Sequence, residues 1–166
     1  MVTIETLSES HLPDRVRLLN DPKINSYLNT NEEFTLEKTS EWFVKRDLKS
    51  RFDCVFCHNG ALIGMGGLVS ISSSNANAEL YMYLGTEFQG QGLGTRSLME
   101  LCRYGLVNLG LHKIFLYTFL DNARANRMYE KVGFVREGLL REHTFKNGAF
   151  QDRCIYGLLK SDFIYL

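Results

Sequence analysis

Proline is scarce: Pro13 and Pro22 are the only two in 166 residues, both early. No linker, internal repeat or low-complexity tract interrupts the chain, so one domain over 1–166 is expected. Cysteine is equally sparse. Cys54, Cys57, Cys102 and Cys154 are too few and too scattered for a disulfide framework. Cys54-x-x-Cys57 has no second Cys/His pair at zinc-finger spacing, and the segment from Arg51 to His58 reads as a strand. Plain, partly buried thiols and no metal are therefore expected. Nor is there an excess of charge: 19 basic side chains face 19 acidic ones. That balance argues against a protein held on nucleic acid by a general basic field, though it leaves room for a local anion site. No apolar run nears the roughly 18 residues of a membrane span, and Met1 to Thr6 lacks a basic stretch followed by an apolar one. A cytoplasmic protein with no membrane partner is expected. What is present is core material, with 45% apolar and 12% aromatic residues. A chain of this length buries roughly 70% of the surface its unfolded form exposes.

The apolar pattern predicts the order β-α-α-β-β-β-α-β-α-β-β. Residues 2–7 read as a strand, followed by a helix capped at Ser8 or Ser10 and stopped after Leu19 by Asn20-Asp21-Pro22. A second helix is expected over 36–49, with Trp42 as a core anchor. Asn59-Gly60 and Asn147-Gly148 are hairpin turns, because both residues of each pair tolerate positive φ. They break the regular β-α alternation that a doubly wound parallel fold needs, so the sheet must be mixed. Along 78–84, Ala78, Leu80, Met82 and Leu84 alternate with Glu79, Tyr81 and Tyr83. Helices over about 91–109 and from Asn122 to Gly133 follow, the second carrying Ala125, Met128, Tyr129 and Val132 on one stripe.

The segment Gln89-Gly90-Gln91-Gly92-Leu93-Gly94-Thr95 joins a strand to an amphipathic helix. Its glycines let the backbone turn sharply and admit a bulky ligand, while the free amides of a helix start favour phosphate. It is not the dinucleotide fingerprint: Ser97 stands where the third glycine belongs, and no acidic strand end follows about 20 residues on. Gln89-x-x-Gly92-x-Gly94 resembles the Q/R-x-x-G-x-G/A signature of the GNAT superfamily of N-acetyltransferases. Asn122-x-x-Ala125-x-x-x-Tyr129-Glu130-Lys131-x-Gly133-Phe134 resembles that family's second cofactor segment. The element order agrees along nearly the whole chain. Asn20-Asp21-Pro22 before a Trp-Phe helix, and the strand from Gly138 to Asn147, are similar to the branch holding ribosomal-protein-alanine, spermidine and amino-sugar acetyltransferases.

The resemblance implies an α/β (α+β) fold with a mixed, mostly antiparallel sheet of about seven strands and about four helices. It implies acetyl-CoA as cosubstrate, its pyrophosphate on the amides of Gly90, Gln91, Gly92, Leu93, Gly94 and Thr95, beside Gln89. Its pantetheine arm would lie along the backbone of Met82, Tyr83 and Leu84. Asn122 would contact the cofactor or a water, and Arg124 could reach a phosphate. Tyr129 matches the tyrosine that lies beside the sulfur in active members and is the expected acid. Glu79, ten residues before Gln89, is the expected base or a substrate contact. The strand 114–120 lacks the carboxylate that protein N-terminal acetylating relatives use there. Glu142 and His143 would border the acceptor pocket.

The acceptor that the resemblance implies is a small-molecule amine, such as a polyamine or amino sugar, or a protein N-terminus. The acidic run Glu32, Glu33, Glu37 and Glu41 suits a polycation, yet such a run is more simply a solvated helix face. A catalytically silent acyl-CoA sensor is the alternative to an enzyme. A homodimer is compatible with the resemblance, and nothing in the sequence requires one.

Overall fold

The computed structural model describes residues 1–164. Its elements run β1 (Val2–Thr6), α1 (Leu12–Leu19), α2 (Pro22–Asn25), α3 (Leu36–Lys45), β2 (Phe52–His58), β3 (Ala61–Ser72), β4 (Asn77–Leu84), α4 (Leu93–Arg103), β5 (Lys113–Phe119), α5 (Ala123–Val132), β6 (Val135–Lys146) and β7 (Ala149–Leu159). Seven strands make one sheet in the order β1-β2-β3-β4-β5-β7-β6. Every neighbouring pair is antiparallel except β4 and β5. That parallel pair holds for Asn77↔Lys113, Ala78↔Ile114 and Glu79↔Phe115 and then ends. The two strands therefore part in mid-sheet, opening a gap whose walls are main chain.

Both hairpins form as expected, with φ of 50° and 79° at Asn59-Gly60 and 53° and 79° at Asn147-Gly148. Alternation along β4 sorts its side chains as read. Ala78, Leu80 and Leu84 join Leu98, Leu101, Ile114, Leu116 and Tyr156 in a core that α4 and α5 help to build. On the other face Tyr83 joins Val55, Met65, Leu18, Leu19 and Ile24, with Trp42 packed against them. Cys54 lies in the first cluster and Cys57 against the second, so the two thiols point to opposite faces and cannot act as a pair. Both are free, and burial pushes the Cys54 thiol well up.

Among the described residues five α-helices stand where about four were expected, and several ends move. Asp21 does not merely stop the first helix. Its carboxylate accepts the Lys23 amide at 2.9 Å and caps the four-residue α2, with Pro22 in the first turn, where a missing amide costs nothing. The polar entry at Ser8 leads into a 3-10 turn over Glu9–His11, and α1 begins only at Leu12. Helix α3 stops at Lys45 rather than 49 because Arg46 turns extended (φ −60°, ψ 136°) to reach Asp53 at 2.8 Å. Helix α4 starts at Leu93 and passes into a π-helical turn over Tyr104–Asn108. Strand β3 continues past Val69 to Ser72 through an irregularity at Ser70, where φ is +50°. Trp42 is half-buried rather than a fully buried anchor: the Arg15 guanidinium lies 4.0 Å over its ring.

Beneath that tryptophan is an ionic knot. The Asp53 side chain has no solvent exposure and accepts from Arg46 (2.8 Å), from Arg51 at Nε and Nη2 (2.9 and 2.8 Å), and from the Tyr81 hydroxyl (2.6 Å). Burial alone would raise its pKa, but the donors from Arg51, Tyr81 and Arg46 hold it below the ordinary carboxylate value. Through Tyr81 the knot ties the far face of β4 to β2 and α3.

Candidate active site

The site assembles around the end of β4. Gly90 and Gly92 have φ of +83° and +75°, conformations that side chains with a Cβ rarely adopt. A Cβ at Gly92 would meet nothing within 4 Å, so the space over the turn is open to a ligand. The first helical amide to find a carbonyl is that of Arg96, on Gly92 O at 3.3 Å. The amides of Leu93, Gly94 and Thr95 precede it and have no partner one turn back. They point, with the positive end of α4, into that space, so the turn can hold a phosphate.

Gln89 joins this turn to the second motif. Its Nε2 donates to the Leu84 carbonyl (3.1 Å), and its Oε1 accepts from Arg124 Nη1 (2.8 Å). Arg124 Nη2 stands 4.0 Å from where a Cβ of Gly90 would be, which sets a cation beside the helix start. Asn122 caps α5, accepting the Ala125 amide at 3.3 Å. The two motifs, read as separate segments, thus converge on one end of the gap. Gln91 turns away instead, its Nε2 donating to Glu87 O (2.9 Å), so only its main chain faces a ligand. Met82, Tyr83 and Leu84 pair with β3 on one side and border the gap on the other, so alternate amides and carbonyls remain open there. The Tyr83 ring is buried in the second core cluster, its hydroxyl accepting from Arg15 (2.7 Å), which leaves its backbone as the available part.

Glu79 stands at the last paired position before β4 and β5 part, on the face opposite the core that holds Tyr129, and Arg153 acts electrostatically on both. Tyr129 is 9% exposed, with Phe134 and Tyr156 rings 5.9 and 6.1 Å away. Burial pushes its phenol up to about 12, partly offset by Arg153, so it stays protonated at neutral pH and can donate. Glu79 is half-buried. Burial raises its carboxyl pKa and Arg153 again opposes the rise, a shift toward what a base working near neutrality needs. Arg153 was missed in the sequence. It sits at the outer end of the β5–β7 pair, opposite Phe119, with its guanidinium 4.5 Å over the Phe119 ring. A charge between Asp152 and Cys154 in a strand was the only signal, and alternation alone cannot say what faces it.

The segment between α2 and α3 forms the outer wall. Lys146, 2% exposed, donates to Asn25 Oδ1 (3.3 Å) and to the Thr30 carbonyl. Asn31 donates to Phe145 O (3.1 Å), and Tyr27 lies 6.4 Å from Phe119. This loop and the closing hairpin are thereby brought together. Glu142 and His143 line an open groove of about 730 Å3 with Leu139, Leu140, Arg141 and Asp152. His143 stacks on Tyr117 at 6.3 Å, which connects the groove to the Glu79 face. Glu32, Glu33, Glu37 and Glu41 are exposed, Glu41 facing Lys45 at 3.8 Å.

The profile of the acetyltransferase (GNAT) domain family matches residues 2–135. The chain belongs to that family. Among individual proteins it is 35% identical over 103 residues to a spermidine N(1)-acetyltransferase of Vibrio cholerae, covering 62% of this chain and 60% of that protein. It is 30% identical over 95 residues to a ribosomal-protein-serine acetyltransferase of Escherichia coli, covering 57% of this chain and 53% of the relative. The matched stretch thus spans about three fifths or less of these curated relatives. The crystal structure of spermidine N-acetyltransferase from Vibrio cholerae in complex with CoA and spermine superimposes with a TM-score of 0.92 at 29% identity, over 97% of this chain and 96% of that one. The GNAT fold is common to both.

Proposed function

We propose that this chain transfers the acetyl group of acetyl-CoA to a primary amine, the amine attacking directly in a ternary complex. The observation that carries this reading is the gap between β4 and β5. At one end are the open glycine turn and two helix starts; at the point where the strands part stands a carboxylate with a raised pKa, and a protonated phenol comes from α5 on the other face. The residues fit CoA: Gly90 and Gly92 leave open space, Leu93 to Thr95 offer unpaired amides, and Arg124 adds a cation, as a pyrophosphate requires. When bound, acetyl-CoA supplies an activated acyl group and a thiolate leaving group.

The chain does the rest. The β4 backbone from Met82 to Leu84 holds the extended arm by strand-like hydrogen bonds and can aim an amide at the acyl oxygen, an interaction worth about 3 kcal/mol per donor. Glu79, directly or through a water, takes a proton from the ammonium, whose ordinary pKa is about 10.4. Tyr129 gives a proton to the departing sulfur. The kinship to spermidine acetyltransferases supports a small-molecule amine as acceptor.

The test is thiol release from acetyl-CoA on adding panels of amines and of Ala- or Ser-starting peptides. Release with small amines is expected. Tight CoA binding without release across every panel would instead establish a silent acyl-CoA sensor.

A further inference from the structure

Arg153 is 7% exposed, and its Nε has no hydrogen-bond partner. Among the described residues it makes no ion pair. Its Nη1 donates to the Thr144 hydroxyl at 3.2 Å, and its guanidinium lies 4.5 Å over the Phe119 ring. A buried guanidinium with an unused donor is costly to maintain and calls for an anion. Glu79 cannot be that anion in full, because it stands beyond ion-pair distance and burial disfavours its charged form. The position is equally telling. Arg153 shares a sheet face with Glu79 and Tyr117 and is in electrostatic reach of Tyr129 across the gap, so it lies where an acceptor must sit to meet the acyl group. Lys146, the second buried cation on this hairpin, is held by neutral oxygens of Asn25 and Thr30. Neither cation has a carboxylate bonded to it, and the carboxylates of the adjoining groove, Glu142 and Asp152, make no ion pair with them among the described residues.

We propose that Arg153 is the receptor for an anionic group on the acceptor, a carboxylate or a phosphate, so that the chain acetylates amines bearing negative charge in preference to polyamines. This rests on the transferase reading above. The arrangement complements such a molecule: its amine meets Glu79, its anion meets the guanidinium fork, and a polycation meets the buried like charge of Arg153.

Two matched pairs test it at fixed ionic strength: β-alanine against its amide, and glucosamine 6-phosphate against glucosamine, with spermidine as the polycation. The measurements are kcat/KM for thiol release and calorimetric binding to the CoA-loaded protein. The charged member of one pair is expected to lead its neutral partner by roughly 10- to 100-fold, the span of a charge-assisted hydrogen bond, and spermidine is expected to trail. The pair that responds distinguishes carboxylate from phosphate. In Arg153→Gln that ratio should collapse toward one. If this variant fails to fold, Arg153→Lys, which keeps the charge and loses the fork, should reduce the ratio. A wild-type preference for spermidine or for the neutral partners overturns the inference, as does an equal loss for every acceptor in Arg153→Gln, the signature of a residue that only tunes Glu79. Should no amine release thiol, the transferase reading fails. The calorimetric ratio then still decides whether Arg153 receives an anionic group, discrimination by charge supporting that role and its absence refuting it.

Discussion

Replacing Asp53 by asparagine should be the most damaging single-atom change in the molecule. The substitution keeps shape and removes one charge. What it leaves behind is set by geometry: an Arg46 side chain 6% exposed and an Arg51 side chain 23% exposed, both aimed at a neutral amide. Removing one partner of a buried ion pair costs about 3–5 kcal/mol, because the remaining charge has lost its compensation away from water. For a chain of this size each kcal/mol moves Tm by about 2–4 °C, so a fall of roughly 6–20 °C is expected. Urea denaturation followed by circular dichroism would show a lower midpoint at unchanged slope. The pH dependence provides an internal control. The donors hold the folded pKa of Asp53 below its ordinary 3.8, so its stabilisation is fully present above that value and is lost as pH falls through the folded pKa. The gap between wild type and Asp53→Asn should therefore narrow only in strong acid. A loss under about 1 kcal/mol at pH 7, or a difference constant down to pH 2, would refute the reasoning and make the knot a surface-like pair.

Three further outcomes follow from the site. Tyr129→Phe should lower kcat by about one to three orders of magnitude, with the KM for acetyl-CoA and the melting temperature little changed, since its hydroxyl makes no hydrogen bond among the described residues and its ring contacts to Phe134 and Tyr156 are kept; unchanged turnover in a folded variant removes Tyr129 from the mechanism. Because burial raises the Glu79 pKa, the pH profile of kcat/KM should climb through a limb above the ordinary carboxylate range, and that limb should vanish in Glu79→Gln; its persistence excludes Glu79 as base. Gly92→Ala places a Cβ in open space at φ +75°, so the strain of about 1 kcal/mol comes from the backbone alone, and a rise in the KM for acetyl-CoA larger than the loss of stability is expected.

The parts of the site that could be read in the sequence are those whose requirement is local. A turn that needs positive φ at Gly90 and Gly92 must use glycine, and a helix that starts at Asn122 must present its cap, so both features are visible within a few residues. Asn59-Gly60 and Asn147-Gly148 were legible for the same reason. Alternation along β4 was enough to place Glu79 opposite the helical core. The failures share an opposite cause. Asp53 lies in a run that reads as plain strand, and its role depends on arginines delivered by the end of α3 and by its own strand, together with a tyrosine 28 positions away. Arg153 acquires meaning only when β7 pairs with β5 and sets it over Phe119, 34 positions earlier in the chain. Charge recognition here is thus invisible to composition twice over. The 19 acids and 19 bases cancel in the count, while in the proposed reading the cofactor end of the gap would rely on backbone amides and the acceptor end on a cation whose burial is decided by pairing between distant segments. A cation in such a place shapes the chemistry before any substrate arrives. It draws the Glu79 and Tyr129 pKa values down from where burial would leave them, so an acceptor anion that neutralises Arg153 would release both upward. A base made stronger and a donor kept protonated at the moment of binding would couple acceptor recognition to proton transfer, and the Glu79 limb should shift to higher pH when the acceptor is anionic.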